Sequence, residues 1–128
     1  MRPRIKICCI GSQEEANLAI REGAAALGLV GNMPSGPGII SDELIASIAA
    51  ATPPPIGTFL LTSETQAANI ISHHLKTFTN TIQLVDELEE RKYAQIRAAL
   101  PTIKLVQVIH VIDEASIDEA LELAAAVD

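Results

Sequence analysis

Cys8 and Cys9 stand side by side near the end of the apolar run Ile5-Lys6-Ile7-Cys8-Cys9-Ile10. A thiol acts as a base or nucleophile only as the thiolate, and a nearby cation favours that form. Side chains alternate along an extended segment, so Lys6 and Cys8 share one face and Cys9 points to the other. That arrangement suits proton abstraction by Cys8. It argues against a joint metal site or a disulfide between the two cysteines. The CxxC spacing of a zinc site is also absent, and no metal is expected. The bland alternative for Cys8 is a strand thiol packed as a small hydrophobe. A second candidate is the stretch Gly31-Asn32-Met33-Pro34-Ser35-Gly36-Pro37-Gly38. Gly36 and Gly38 would leave its backbone open to close approach by a ligand, as in a flap; the alternative is an ordinary mobile loop. Asp86 is either a group facing a ligand or the N-cap of the helix after it. His110 is either a packed polar residue or a ring aimed at a ligand. His73 and His74, near the end of a helical stretch where positive charge is welcome, receive no site role. Glu87, Glu89, Glu90, Arg91 and Lys92 read as a solvated helix face.

The elements that must carry these groups alternate in type. Apolar runs of strand length lie at Ile5–Ile10, Ala26–Val30, Ile56–Leu61, Thr79–Val85 and Ile103–Val111. Each is rich in Ile, Val, Leu or Thr and reads as a buried strand. Ser12 opens the first helix, with Glu15 completing a capping box and Gly23 at the end. Ser41 opens the second, which stops before Pro53-Pro54-Pro55. Ser63 opens the third, with Gln66 at its N3 position. Asp86 opens the fourth, which ends before Pro101. Asp113 opens the fifth, which runs through Ala115–Ala126. Five β-α units without a linker imply a parallel sheet in a single α/β domain spanning residues 1–128. Two architectures fit: a five-stranded doubly wound sheet, or part of a (β/α)8 barrel, since about 26 residues per unit is at the lower end for barrels. In both, ligands bind where the strands end at their C-termini, which is where Cys8, the glycine-rich stretch, Asp86 and His110 fall.

Composition excludes several classes. The net charge of −7 argues against a nucleic-acid partner, which needs clustered Lys and Arg. Aromatics at 2% leave nothing to build base-stacking or sugar-stacking platforms. No apolar run approaches the ~20 residues that span a bilayer, so no membrane association is expected. Two unspaced cysteines and no signal-peptide pattern fit a protein of a reducing cytoplasm. The GxGxxG of a dinucleotide site and the GxxxxGK[ST] of a P-loop are both absent.

Lys6-Ile7-Cys8-Cys9-Ile10 resembles the K-I-C-G-I opening of phosphoribosylanthranilate isomerase, a (β/α)8-barrel enzyme of tryptophan biosynthesis. The resemblance continues in order. Glu15-Ala16 and Glu22-Gly23-Ala24 through Ala26-Leu27-Gly28 look like that family's first helix and second strand. Pro37 through Ile40-Ser41 resembles its P-R-x-I-S stretch, Gly57-Thr58-Phe59 its third strand, and Gln83-Leu84 its Q-L-H-G fourth strand. Each motif is short, but their ordered series covers essentially all 128 residues, as the first five of eight units. Four positions depart from the pattern: Cys9 replaces a glycine, Gly38 replaces the arginine, and Val85 and Asp86 replace the histidine and glycine.

The resemblance implies an Amadori rearrangement of N-(5′-phosphoribosyl)anthranilate, with no cofactor. An acid opens the ribose ring to a Schiff base, a base removes the C2′ proton, and the enolamine tautomerises to the ketone. By resemblance Cys8 is the base, an aspartate ending strand six is the acid, and backbone N–H groups after strands seven and eight hold the phosphate. Lys6, Gly36, Gly38, Asp86 and His110 would then face the phosphorylated substrate. Val127-Asp128 falls where strand six should begin, so Asp128 would lie at the opposite end from the site. The stretch alone would lack the acid and the phosphate cup, and its open strand edges would favour self-association. The alternatives are a non-catalytic barrel relative that binds a phosphorylated metabolite, and a doubly wound interaction domain.

Overall fold

The computed structural model describes residues 2–128. Five strands and five helices alternate: β1 (Lys6–Ile7), α1 (Gln13–Arg21), β2 (Ala26–Val30), α2 (Asp42–Ala51), β3 (Gly57–Thr62), α3 (Ala67–Thr77), β4 (Thr81–Leu84), α4 (Tyr93–Ala99), β5 (Lys104–Gln107) and α5 (Ala115–Leu123). A single 3-10 turn, Glu89–Arg91, precedes α4. All strand pairs are parallel, and the order in the sheet is β1-β2-β3-β4-β5.

Register decides how this sheet is wound. Leu29, Leu60, Ile82 and Leu105 are successive partners across β2 to β5, so they share one face. They belong to two buried clusters that also hold Ala16 of α1, Ile45 and Ile48 of α2, Ile70 of α3, Ile96 of α4 and Leu123 of α5. All five helices therefore cover the same face, as in a barrel wall. A doubly wound sheet reverses its strand order and takes helices on both faces. Each fully buried Leu or Ile in these clusters contributes about 1.5–3 kcal/mol.

The opposite face is concave. Lys6 of β1 donates a hydrogen bond to Gln83 Oε1 of β4, and its ammonium sits 4.6 Å from the centre of the Phe59 ring of β3. On a flat sheet β1 and β4 would be three strand spacings apart, about 14 Å, farther than these side chains reach together. The sheet is curled toward closure. Val127 and Asp128 then turn onto β5, where the Asp128 N–H donates to the Leu105 carbonyl at 2.8 Å.

Several boundaries differ from expectation. β1 ends at Ile7 because Cys9 takes a left-handed conformation (φ 58°), which extended backbone cannot continue. β5 stops at Gln107, and Val111 and Ile112 beyond it are exposed. Ser63 does not open α3, which begins at Ala67 without a side-chain cap. The preceding loop spends its polar groups elsewhere: the Glu64 N–H donates to Thr62 Oγ1, and Thr65 donates to Glu89. Asp86 is not the N-cap of the fourth helix either. Positive φ at Glu90 and Arg91 breaks the chain into a turn, and α4 starts only at Tyr93. α5 is shorter than expected, closing at Leu123.

Candidate functional site

The C-terminal ends of the five strands form one rim. Cys8 follows β1 and lies against Gly28 of β2; a Cβ on Gly28 would come within 2.7 Å of Cys8 Sγ and 2.9 Å of Cys8 Cα. Glycine at 28 is what lets the end of β1 close down on β2. Lys6, two residues earlier, pairs with Ala26, so Lys6 and Cys8 occupy the same face in successive register positions. The ammonium is engaged by Gln83 and Phe59, which places it inside the curl, below the rim. Cys8 itself is exposed and lines an apolar cleft of about 360 Å3 with Ile5, Ile7 and Leu18, along the open edge of β1.

Cys9 turns away onto the glycine-rich stretch. Its Sγ lies 3.7 Å from the Pro37 carbonyl oxygen. Gly38 has φ 79°, and a Cβ built there would meet Cys9 Cβ at 2.6 Å and Cys9 Cα at 2.8 Å. Two departures from the family motif are thus one packing event. The side chain at position 9 occupies the space in which a side chain at 38 would start. Gly36 (φ 123°) lies at the exposed tip. The segment returns to the sheet where Ile39 bridges Val30 and the Ile40 N–H donates to the Val30 carbonyl.

On the far side of the rim, side chains of β5 brace the loop after β4. Gln107 donates to the carbonyls of Leu84 and Asp86, and its own carbonyl accepts from the Tyr93 hydroxyl at 2.8 Å. Burial raises the Tyr93 pKa, which keeps the phenol a donor. The His110 Nε2 donates to the Val85 carbonyl at 2.9 Å, so that ring holds the loop on which exposed Asp86 sits. Cys8, the segment bearing Gly36 and Gly38, Asp86 and His110 are all at this rim; Lys6 is one layer below. Gln83, the partner of Lys6, was not singled out from the sequence as a site residue; His73, given no site role there, joins Thr62 to Asp42. Gln83 could have been found: period two from Ile82 and Leu84 puts it on the concave face. His73 carries no such mark.

Asp128 is at the other end of the strands. Its carboxylate accepts from the Leu105 N–H, Lys104 and Arg97 at 3.0, 3.0 and 2.8 Å, and these donors hold its pKa far below the ordinary aspartate value. It shares a cavity of about 620 Å3 with Arg4, Lys6, Phe59 and Lys104 at the N-terminal mouth of the curl. It cannot serve the rim. Among the described residues, no three His, Cys, Asp or Glu side chains converge as metal ligands, and no helix is long and apolar enough to cross a membrane.

A singly wound, curled β/α sheet with its polar rim at the strand C-termini defines the (β/α)-barrel class. No protein-family model matches the chain. It is 32% identical over 110 residues to N-(5′-phosphoribosyl)anthranilate isomerase 2 of Methanosarcina mazei, covering 85% of this chain and 49% of that protein. Phosphoribosyl anthranilate isomerase from Thermotoga maritima superposes with a TM-score of 0.79 at 25% identity, over 94% of this chain and 57% of the other. The same figures for TM-score and identity hold for a phosphoribosyl anthranilate isomerase in complex with reduced 1-(o-carboxyphenylamino)-1-deoxyribulose 5-phosphate, over 94% of this chain and 60% of that one. The Thermococcus kodakaraensis enzyme shares the fold with a TM-score of 0.82 at 18% identity, over 99% of this chain and 61% of its own. The chain is similar in sequence and fold to the phosphoribosylanthranilate isomerases. It spans about half the length of the curated relative it matches.

Proposed function

We propose that this chain is the β1-to-α5 portion of an isomerase that carries out the Amadori rearrangement of N-(5′-phosphoribosyl)anthranilate in tryptophan biosynthesis, in the cytoplasm. The observation that carries the reading is Cys8. It sits at the C-terminal end of β1, on the concave face and seated on Gly28, in a chain 32% identical to a named isomerase. In this reading an acid from a later unit protonates the ribose ring oxygen and opens the ring to the Schiff base. The Cys8 thiolate then removes the C2′ proton. The resulting enolamine tautomerises to the ketone. Lys6, from within the curl, and Asp86 and His110, from the rim, contribute to the polar wall around the sugar phosphate. Gly36 and Gly38 present backbone to it. The acid and the phosphate site come from units beyond α5.

The test is an isomerase assay on two samples: this chain alone, and this chain joined to units six to eight of a family member. Turnover only in the joined protein, abolished by Cys8→Ala, supports the reading. Turnover in the joined protein that survives Cys8→Ala overturns the role of Cys8. A second reading, a barrel that binds a phosphorylated metabolite without turning it over, is favoured by the Cys9–Gly38 interlock, which excludes the family's arginine from position 38. Tight ligand binding without turnover in the joined protein would select it.

A further inference from the structure

We propose that His73 is a positioning residue that clamps the rim segment Gly31–Asp42 at both of its ends. The ring Nε2 lies 2.9 Å from Asp42 Oδ1, and Nδ1 lies 2.9 Å from Thr62 Oγ1. A carboxylate only accepts, so Nε2 carries the hydrogen. In the neutral ring Nδ1 then accepts from the Thr62 hydroxyl, whose oxygen accepts in turn from the Glu64 N–H at 3.3 Å. The chain of bonds is anchored in the sheet, because Thr62 is fully buried at the end of β3. It ends on the first residue of α2.

The other end of the segment touches the same ring. Gly31 is buried, and a Cβ there would meet His73 Cε1 at 2.5 Å and Nε2 at 2.8 Å. Between these two anchored points the chain runs out to Pro37 and Gly38, which lie against Cys9. The His73 side chain, only 10% exposed, therefore sets where the glycine-rich stretch rests beside the end of β1. Describing that stretch as a substrate flap rests on the isomerase reading; the clamp itself does not.

The test reads backbone amide exchange in variants of His73 and Gly31. Exchange does not depend on turnover, so failure of the isomerase reading and failure of the clamp are separable. His73→Ala and Gly31→Ala should each speed amide exchange in Ile39–Leu44 by about tenfold, the ratio held back by one charge-assisted hydrogen bond. Amides of β4 should be unaffected. His73→Gln, whose amide nitrogen can still reach Asp42, should recover most of the protection. Nitrogen NMR of the ring at about pH 8, where an ordinary histidine is neutral, should show the Nε2–H form. The clamp is overturned if both Gly31→Ala and His73→Ala leave Ile39–Leu44 exchange at the parent rate, or if β4 amides accelerate equally, which would make the ring a general core residue. If His73→Ala does not fold, Gly31→Ala and Asp42→Ala carry the same comparison.

Discussion

Cys8 and Cys9 differ by one position and meet different neighbours, Gly28 and Gly38, because the backbone turns left-handed at Cys9. On the proposed isomerase reading, Cys8→Ala in the protein joined to units six to eight should lower turnover by about 10²–10⁴, the usual worth of an acid-base group. Cys9→Ala keeps the Cβ that packs on Gly38 and should cost far less; equal losses in steady-state assays would assign both to packing. Gly38→Ala meets two penalties, a positive φ and a 2.6 Å approach to Cys9 Cβ. It should destabilise the chain by about 1–3 kcal/mol, read from urea midpoints. At this scale the sequence was legible where a period applies. Alternation alone put Lys6 and Cys8 on one face. It could not show that Cys9 leaves the strand, since a non-glycine residue at positive φ is set by what it packs against. Nor could it pick out His73, whose partners Thr62 and Asp42 are 11 and 31 residues away.

Elements were legible where their ends are marked by local chemistry. Ser12 accepts from the Glu15 N–H and Ser41 from the Leu44 N–H, both as N-caps should. Asp113 accepts from the Ala115 N–H. The Glu15 carboxylate reaches the Gly11 N–H at 2.6 Å, one residue short of the usual capping-box partner. The starts of α3 and α4 were not legible, because the loops before them are set by distant partners: Thr65 bonds to Glu89, and Gln107 holds the Asp86 carbonyl. Asp128 sets a further test, on β5 and the chain end that packs against it. Its folded pKa is depressed by the Leu105 N–H, Lys104 and Arg97. The carboxylate therefore stabilises the fold above its ordinary pKa near 3.8, and this contribution is lost as pH falls below that value. The urea midpoint should drop as pH falls from about 4 to about 2, and Asp128→Asn should flatten part of that drop. An unchanged slope in the variant would remove Asp128 from the acid response.

Over the whole molecule, the alternation of strands and helices predicted the parallel sheet. The strand order, which separates a barrel wall from a doubly wound sheet, is set by long-range register that no local pattern encodes. The same geometry leaves β1 and β5 with open edges. Ile5, Ile7 and Leu18 are exposed beside β1, and Val111, Ile112, Ile117 and Leu121 beyond β5. Apolar surface flanking unpaired strands promotes association. The chain alone should sediment as a mixture of species and melt with a concentration-dependent midpoint. A compact monomer with a sharp, concentration-independent melt would count against unfinished edges of this kind.

The strand order 1-2-3-4-5 also bears on synthesis at the ribosome. Every pairing in this sheet joins a strand to the one translated immediately before it. At about 5–20 residues per second, a unit of this size takes roughly one to five seconds to emerge. Turns and helices form within microseconds, so each unit has time to dock on its predecessor before the next appears. The edge that is a hazard in the finished chain is, during translation, the template for the next strand. The Asp128 N–H on the Leu105 carbonyl shows the outer edge of β5 accepting backbone in this way.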